Sequence, residues 1–314
     1  MGQVCFGVDV GGTTVKLGLF SMDGSLHSKW EITTRKIENG KYILEDVADS
    51  IGKKIIELKL KMEDIIGVGV GIPGPVKRDG VVLRCVNLGW GVFNVEEELG
   101  KLTGLKIKAA NDANIAALGE MWQGGGKGYR NIVLITLGTG VGGGIIVDGN
   151  ILAGSNGAAG EIGHSFVNKE EKDSCSCGNS GCLEQYASAT GIVKETHRLL
   201  NKTEEPSVLR DLEEITAKDI FDCAKAGDHL ANISVENLCY YLGVELTHVA
   251  CVLDPEAFVL GGGVSKAGSI LTDLVKKYYE EHVMFALKGK EFKLATLGND
   301  AGIYGGAKLI LDTL

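Results

Sequence analysis

Proline is nearly absent from this chain, with four residues in 314 against 46 glycines. Glycine at about twice its usual share of ~7%, with so little proline, points to tight turns and close backbone approach to a ligand. It does not suggest a flexible low-complexity chain. Clustered positive charge is also missing. The formal net charge is -9 and no basic run exceeds a pair or so, which excludes a phosphate-tracking nucleic-acid surface. No stretch of eighteen apolar residues occurs, so no membrane helix is expected. The opening Met1-Gly2-Gln3-Val4-Cys5-Phe6 lacks the basic-then-apolar order of a secretory signal, and Phe6 stands where a myristoylation motif has Ser or Thr. A cytoplasmic protein is expected. The hydrophobic fraction of 44% is ordinary for a folded globular protein and excludes wholesale disorder.

Eight cysteines in such a compartment are not expected to form disulfides. Cys5, Cys85, Cys223, Cys239 and Cys251 lie among apolar residues and read as small buried hydrophobes. Cys175, Cys177 and Cys182 form a separate cluster.

Residues 4–20, VCFGVDVGGTTVKLGLF, read as two strands joined at Gly11-Gly12. Ile43, Val47, Ile51 and Ile55 recur at four-residue spacing within 43–61 and mark one face of an amphipathic helix. Residues 65–72, IIGVGVGI, form a buried strand that stops at Pro73. This alternation implies a layered α/β fold. The plan then recurs. NIVLITLGTGVGGGIIVDG at 131–149 repeats strand, glycine turn and strand, ending at Asp148-Gly149 as the first ends at Asp23-Gly24. A helix-rich stretch follows from about 183 to 250, and FVLGGGVS at 258–265 is a strand entering a glycine loop. Two related α/β halves are expected. The first covers 1–110 plus a C-terminal helix at about 300–314; the second, larger one covers 111–299.

Gly69 to Gly74 and Gly138 to Gly143 both match G-x-G-x-x-G. A dinucleotide fingerprint needs a helix directly afterwards, and here Pro75 and a strand follow instead. Gly126-Lys127-Gly128 lacks the Ser or Thr of a Walker A loop. A different cradle fits better. The turn in VDVGGTTVK offers backbone N–H groups of Gly11, Gly12 and Thr13 and the hydroxyls of Thr13 and Thr14; Gly138, Thr139 and Gly140 in TLGTGVGGG offer the same chemistry. Two such turns, one from each half, facing across a cleft would clasp a nucleoside polyphosphate. Asp9, at the end of the first strand, would then hold Mg²⁺ through water. The bland alternative is a pair of ordinary hairpin turns.

Asn111-Asp112-Ala113-Asn114 opens an apolar helical run. Asp112 can complement a helix N-terminus or act as a general base, and the two roles are compatible, because helix-end amides keep a carboxylate ionised. Further on, Cys175, Cys177 and Cys182, at C-x-C-x4-C in a Gly/Asn/Ser loop, suit a tetrahedral Zn²⁺ lacking one ligand. His164, eleven residues upstream, is the natural fourth. Four protein ligands would close the site, making the zinc structural. Three ordinary thiols are the alternative. The charged stretch 167–174 between His164 and the thiols reads as a solvated loop without effect on metal binding.

DVGGTTVK, LGTGVGGG and GGGVS resemble the two phosphate motifs and the adenosine motif of the actin, sugar-kinase and Hsp70 superfamily. Over essentially its whole length the chain resembles the ROK family of bacterial sugar kinases and repressors. The resemblance implies two actin-like/RNase H-like ATPase domains with an interdomain cleft, ATP and Mg²⁺ as cofactors, adenosine contacts at Gly262 and Gly263, and Asp112 as the catalytic base with Asn111 beside it on the sugar. In the pattern ExGH…CxCGxxGCxE it implies that His164 ligates zinc and hydrogen-bonds the sugar, with Glu161 and Glu184 as sugar-binding carboxylates. EIGH, CSCGNSGCLEQYAS, GIPGPV and NLGW are most similar to ROK glucokinases. The implied reaction is therefore phosphorylation of a hexose, glucose above fructose, mannose or an N-acetylhexosamine, by a homodimer or higher homo-oligomer. A sugar-sensing repressor would need a helix-turn-helix before the first phosphate motif, which begins at about residue 7. An actin-like or chaperone ATPase would not need the thiol loop.

Overall fold

The computed structural model describes residues 2–314. The chain divides into two compact units. Met1–Ile132, Gly144–Gly160 and Leu297–Leu314 form the first, and Val133–Gly143 with Glu161–Thr296 form the second.

Three antiparallel strands open the first unit: β1 (Val4–Val10), β2 (Thr14–Ser21) and β3 (Leu26–Thr33). A short turn α1 (Ile37–Gly40) leads into α2 (Ile43–Glu57), which buries Ile43, Val47 and Ile51, the face read from their spacing. Then come β4 (Ile65–Ile72), a small hairpin of β5 (Val81–Val82) and β6 (Phe93–Asn94), α3 (Val95–Thr103), β7 (Ile107–Asn111) and α4 (Asp112–Gln123). The sheet order is β3-β2-β1-β4-β7, with β1/β4 and β4/β7 parallel.

Alternation along β1 divides its side chains between two layers. Val4, Phe6, Val8 and Val10 join the core with α2 and α3, whereas Cys5 belongs to a second cluster with Ile303, Ala307 and Ile310. Gly7 and Asp9 share the face of Cys5.

The chain continues through β8 (Ile132–Leu137), β9 (Val141–Val147) and β10 (Asn150–Ile151). After a long loop, α5 (Glu184–Ala187), α6 (Ala189–Leu200), α7 (Ala217–Lys225) and α8 (His229–Leu253) supply the helical layer. Next come β11 (Ala257–Gly261), α9 (Ser269–His282) and β12 (Glu291–Leu294). This second sheet has the order β10-β9-β8-β11-β12. Replacing β8, β9, β10, β11 and β12 by β1, β2, β3, β4 and β7 reproduces the first sheet's order, so the duplication seen in the glycine hairpins extends to the whole sheet. The fold is α/β, with two related sheets. Among the described residues no helix is long and apolar enough to cross a membrane.

Finally α10 (Ala301–Leu311) returns to the first unit and packs on β1, β4 and α4. Its crossing with α4 is close: a side chain at Gly305 would begin 1.6 Å from the Ile115 carbonyl oxygen. This packing keeps α4 in the first unit. Residue 110, the expected boundary, falls within β7, and the unit runs on to Ile132 and takes in residues 144–160 as well.

Candidate active site

In the first unit the β1–β2 turn is closed by the Gly11 N–H donating to Thr14 O at 3.0 Å. Thr34 braces it from outside, donating its N–H to Thr13 O (2.9 Å) and its hydroxyl to Gly11 O (2.7 Å). Thr13 is exposed and Gly11, Gly12 and Thr14 are partly so. The Lys36 ammonium, which sequence reading did not select, lies 3.5 Å from where a Gly12 side chain would start. Asp9 projects on the α10 side of β1, and a Cβ on Gly302, in the first turn of α10, would meet its Cγ at 2.5 Å. Burial, and then the nearby charge of Asp112, push the Asp9 carboxyl up to about 6; Lys16 opposes the shift.

Asn111 is the N-cap of α4. Its Oδ1 accepts from the N–H groups of Ala113 (2.9 Å) and Asn114 (3.2 Å), and its Nδ2 donates to Gly74 O (3.1 Å). Capping therefore falls to Asn111, while Asp112 occupies the first helical position, where Oδ1 accepts from Ala113 N–H at 2.9 Å. A carboxylate there is stabilised in its charged form by the helix end. Asn114, in the same motif, is buried and its Oδ1 lacks a hydrogen-bond donor among the described residues.

In the second unit three loops converge on Val141 at the start of β9. The turn Gly138–Gly140 is closed by the Gly138 N–H donating to Gly140 O (3.0 Å). The turn carrying Glu161 and His164 presses against it, since a side chain at Gly163 would begin 2.1 Å from Val141 O. Only glycine allows that approach. Glu184 closes the group: Oε2 accepts from Val141 N–H (3.2 Å), and Oε1 from Ser176 Oγ (2.8 Å) and Cys175 Sγ (3.5 Å). Glu161 is exposed and His164 half-buried.

The donor atoms of His164, Cys175, Cys177 and Cys182 all lie within 4.8 Å of one another. A tetrahedral ion with ligand bonds of about 2.3 Å to sulfur and about 2.0–2.1 Å to nitrogen requires edges of about 3.8 Å (S···S) and about 3.6 Å (N···S). Cys177 Sγ and Cys182 Sγ are 3.7 Å apart, and His164 Nδ1 is 3.6 Å from Cys175 Sγ. These residues fit such an ion, with Nδ1 as the imidazole donor, which leaves Nε2 carrying the ring proton.

The stretch 167–174 departs from the solvated loop expected of it. Lys172 and Asp173 are exposed, but the Glu171 side chain is only 1% accessible. Arg198, with help from the Asp173 N–H and the Tyr186 hydroxyl, holds its carboxyl well below the usual carboxylate range. Cys251 also departs from expectation: it is exposed, and Cys223 is only partly buried.

Gly263 lines a hollow of about 410 Å³ with an apolar wall of Phe221, Val264 and Ala267. Thr139 lines a second, of about 660 Å³, with Thr190, Lys194 and His197. Both hollows include Ala189, Thr216 and Ala217, so Thr139 of the Gly138–Gly140 turn and Gly263 of the loop after β11 border one continuous face of the unit. None of the α6 and α7 residues there was selected from sequence, because amphipathic helices with Lys and Thr on the outer side look alike whatever they face.

A family model described as "ROK family" matches residues 5–313. The chain is 45% identical to a glucokinase of Halalkalibacterium halodurans, covering 97% of this chain and 94% of that one. It is 36% identical to a glucokinase of Thermotoga maritima, over 98% and 97%. Among solved structures it is similar to a ROK family glucokinase from Streptomyces griseus in complex with glucose and AMPPNP, at 32% identity and TM-score 0.74 over 98% of both chains. With these matches along its length, and with the paired sheets and the thiol loop described above, the chain belongs to the ROK family.

Proposed function

We propose that this protein is a hexose kinase that transfers the γ-phosphoryl group of MgATP to the 6-hydroxyl of D-glucose. The observation that carries the reading is the loop cluster around Val141. There a ring nitrogen of His164 faces three thiols, while two carboxylates flank them, Glu161 on the turn before His164 and Glu184 at the start of α5. The preference for glucose is supported by the glucokinases at 45% and 36% identity and by the Streptomyces griseus glucokinase solved with glucose.

Asp112 accepts the proton of the attacking hydroxyl. The amides at the start of α4 favour its ionised form, the state a base must occupy. Phosphoryl transfer has a loose transition state, so orientation of the nucleophile matters more than base strength. Asn111, fixed by its capping bonds, directs a carboxamide N–H toward a sugar oxygen. Glu161 and Glu184 accept from sugar hydroxyls, and His164 Nε2–H donates to one. Loss of any of these buried bonds leaves a partner unpaired, which is how the site discriminates between epimers.

Gly12, Thr13 and Thr14, with Thr139 and Gly140, supply N–H and hydroxyl donors to the polyphosphate, while Gly11 and Gly138 close the two turns with their own N–H groups. Gly262 and Gly263 border the adenosine. Asp9 would hold Mg²⁺ through water, and the ion's charge would favour the ionised carboxylate that burial opposes. Zn²⁺ held by His164, Cys175, Cys177 and Cys182 would fix the imidazole tautomer and cross-link the loop. Reduced thiols accord with a cytoplasmic location, and a homodimer or higher homo-oligomer is the assembly we assign. The test is a coupled assay over a panel of hexoses with wild type and Asp112→Asn. The expected result is turnover strongest with glucose and a loss of about 10²–10⁴-fold in kcat for the variant. A variant keeping a tenth of wild-type turnover would remove Asp112 from its role.

A further inference from the structure

The segment joining His164 to the first thiol is fastened to the helical layer by one buried carboxylate. Glu171 lies seven residues after His164 and four before Cys175. It accepts five hydrogen bonds: Arg198 Nη1 (2.7 Å) and Tyr186 Oη (2.7 Å) on Oε2, with Arg198 Nη2 (2.9 Å), Lys172 N–H (3.0 Å) and Asp173 N–H (2.9 Å) on Oε1. The guanidinium engages both oxygens, the geometry that makes Arg–carboxylate pairs stiff as well as strong. Around this centre the loop is bound again on each side. Asn168 donates to Tyr186 Oη (3.0 Å), and Gln185 donates to Asp173 O (2.9 Å) while accepting from the Cys182 N–H (3.1 Å). Tyr186 is itself stacked on Tyr241 of α8, with centroids 4.4 Å apart.

We infer that the Glu171–Arg198–Tyr186 clasp is a positioning element that holds the thiol loop ready for its metal, and through His164 sets the affinity for the sugar. The inference rests on the hexose kinase reading given above. Among the described residues no hydrogen bond joins the side chains of the clasp to the thiols, so it acts by limiting where Cys175 and Cys177 can go. With these contacts in place the loop loses little freedom when the ion binds; without them the ion must order more of the ten residues between His164 and Cys175.

Glu171→Gln is the informative change, because Arg198 also lines the hollow beside Thr139 and its replacement would disturb nucleotide binding directly. The measurement is made on zinc-loaded full-length protein, with zinc release to a chromogenic chelator followed alongside steady-state kinetics. Partners behind metal ligands are typically worth about 10–100-fold. Zinc loss should therefore be at least about tenfold faster and the KM for glucose about tenfold higher, with kcat within about threefold. Tyr186→Phe, which removes the hydroxyl's two hydrogen bonds, to Glu171 and from Asn168, and keeps the ring, should shift the same two readouts in the same direction by a few-fold. Glu171→Asp should restore part of the zinc retention.

Unchanged zinc release and unchanged KM in Glu171→Gln would overturn the inference. So would a parallel fall in kcat, glucose affinity and ATP affinity with a lowered melting temperature, which marks a merely structural role. If Glu171→Gln does not fold, Tyr186→Phe decides by the same criteria. A wild type without zinc or without hexose kinase activity would instead sink the underlying functional reading, so the two failures are distinct.

Discussion

Replacing Asp9 by Asn should make the protein more stable and inactive at once. The carboxyl is displaced from the ordinary 3.8 to about 6, first by burial and then by the charge on Asp112. Between those two values the folded protein holds more protons than the unfolded chain, so its stability falls as pH rises through the window, and the full penalty remains above about pH 6. Each pH unit of displacement is about 1.4 kcal/mol, which sets a ceiling of about 3 kcal/mol. Because the side chain is partly exposed, we expect about 1–3 kcal/mol. Asn has nearly the same shape and no charge. At pH 7.5, without nucleotide, Asp9→Asn should therefore melt a few degrees above wild type, and the gap should close as pH falls toward 4. Addition of MgATP should reverse the order, because wild type gains binding energy that the variant cannot, and turnover should be lost. Paired melting curves at pH 7.5 and pH 4.5, with and without MgATP, test each step. A variant equally stable or less stable at pH 7.5, or an advantage that does not shrink on acidification, refutes the argument that buried charge at this position costs stability.

Two glycines in helices should respond oppositely to alanine. Gly305→Ala drives a methyl toward the Ile115 carbonyl oxygen, 1.6 Å from the ideal Cβ position, and should lower the urea midpoint by the equivalent of about 1–3 kcal/mol or more. Gly52→Ala, in α2 with open space around it, should raise it by up to about 1 kcal/mol. For the thiol cluster, Cys182→Ser should reduce bound zinc well below one ion per chain by elemental analysis, and chelation of wild type should raise the KM for glucose before it alters kcat. Full zinc content in the Ser variant would mean that Cys182 is not a ligand.

Much of the site was legible because its chemistry is concentrated in short motifs. The hairpin turn after Asp9, the start of α4 and the three thiols each carry their meaning within about ten residues. Local spacing fixes local geometry. Glu171 shows where this stops. In Lys169-Glu170-Glu171-Lys172-Asp173 every residue looks equally suited to water, with no periodicity to mark one of them. The member that turns inward does so because Arg198 stands ready 27 residues later, on a helix whose own pattern is fully explained by its buried face. The domain boundary was obscured for a similar reason. Nothing at residue 110 announces that α4 will be held by a helix beginning at Ala301.

The glycine excess illustrates how one compositional signal can have two causes. Read alone, it pointed to turns and ligand contact, and Gly11, Gly12, Gly138 and Gly140 accord with that. Other glycines have a different origin. Along β4 a side chain at Gly69 would begin 1.8 Å from Gly306 O, and along β1 one at Gly7 would begin 1.8 Å from Ile303 O. Here α10 lies almost directly on the strands, and backbone meets backbone where side chains would normally intervene. The close approach has a consequence for the site. It brings the first turn of α10 against Asp9, and burial of that carboxylate is the largest cause of its raised pKa. The glycines under α10 therefore bear on chemistry without touching a ligand. Enlarging one of them should shift α10 and with it the pH at which Asp9 ionises, which a displaced acid limb in the pH dependence of the KM for MgATP would reveal.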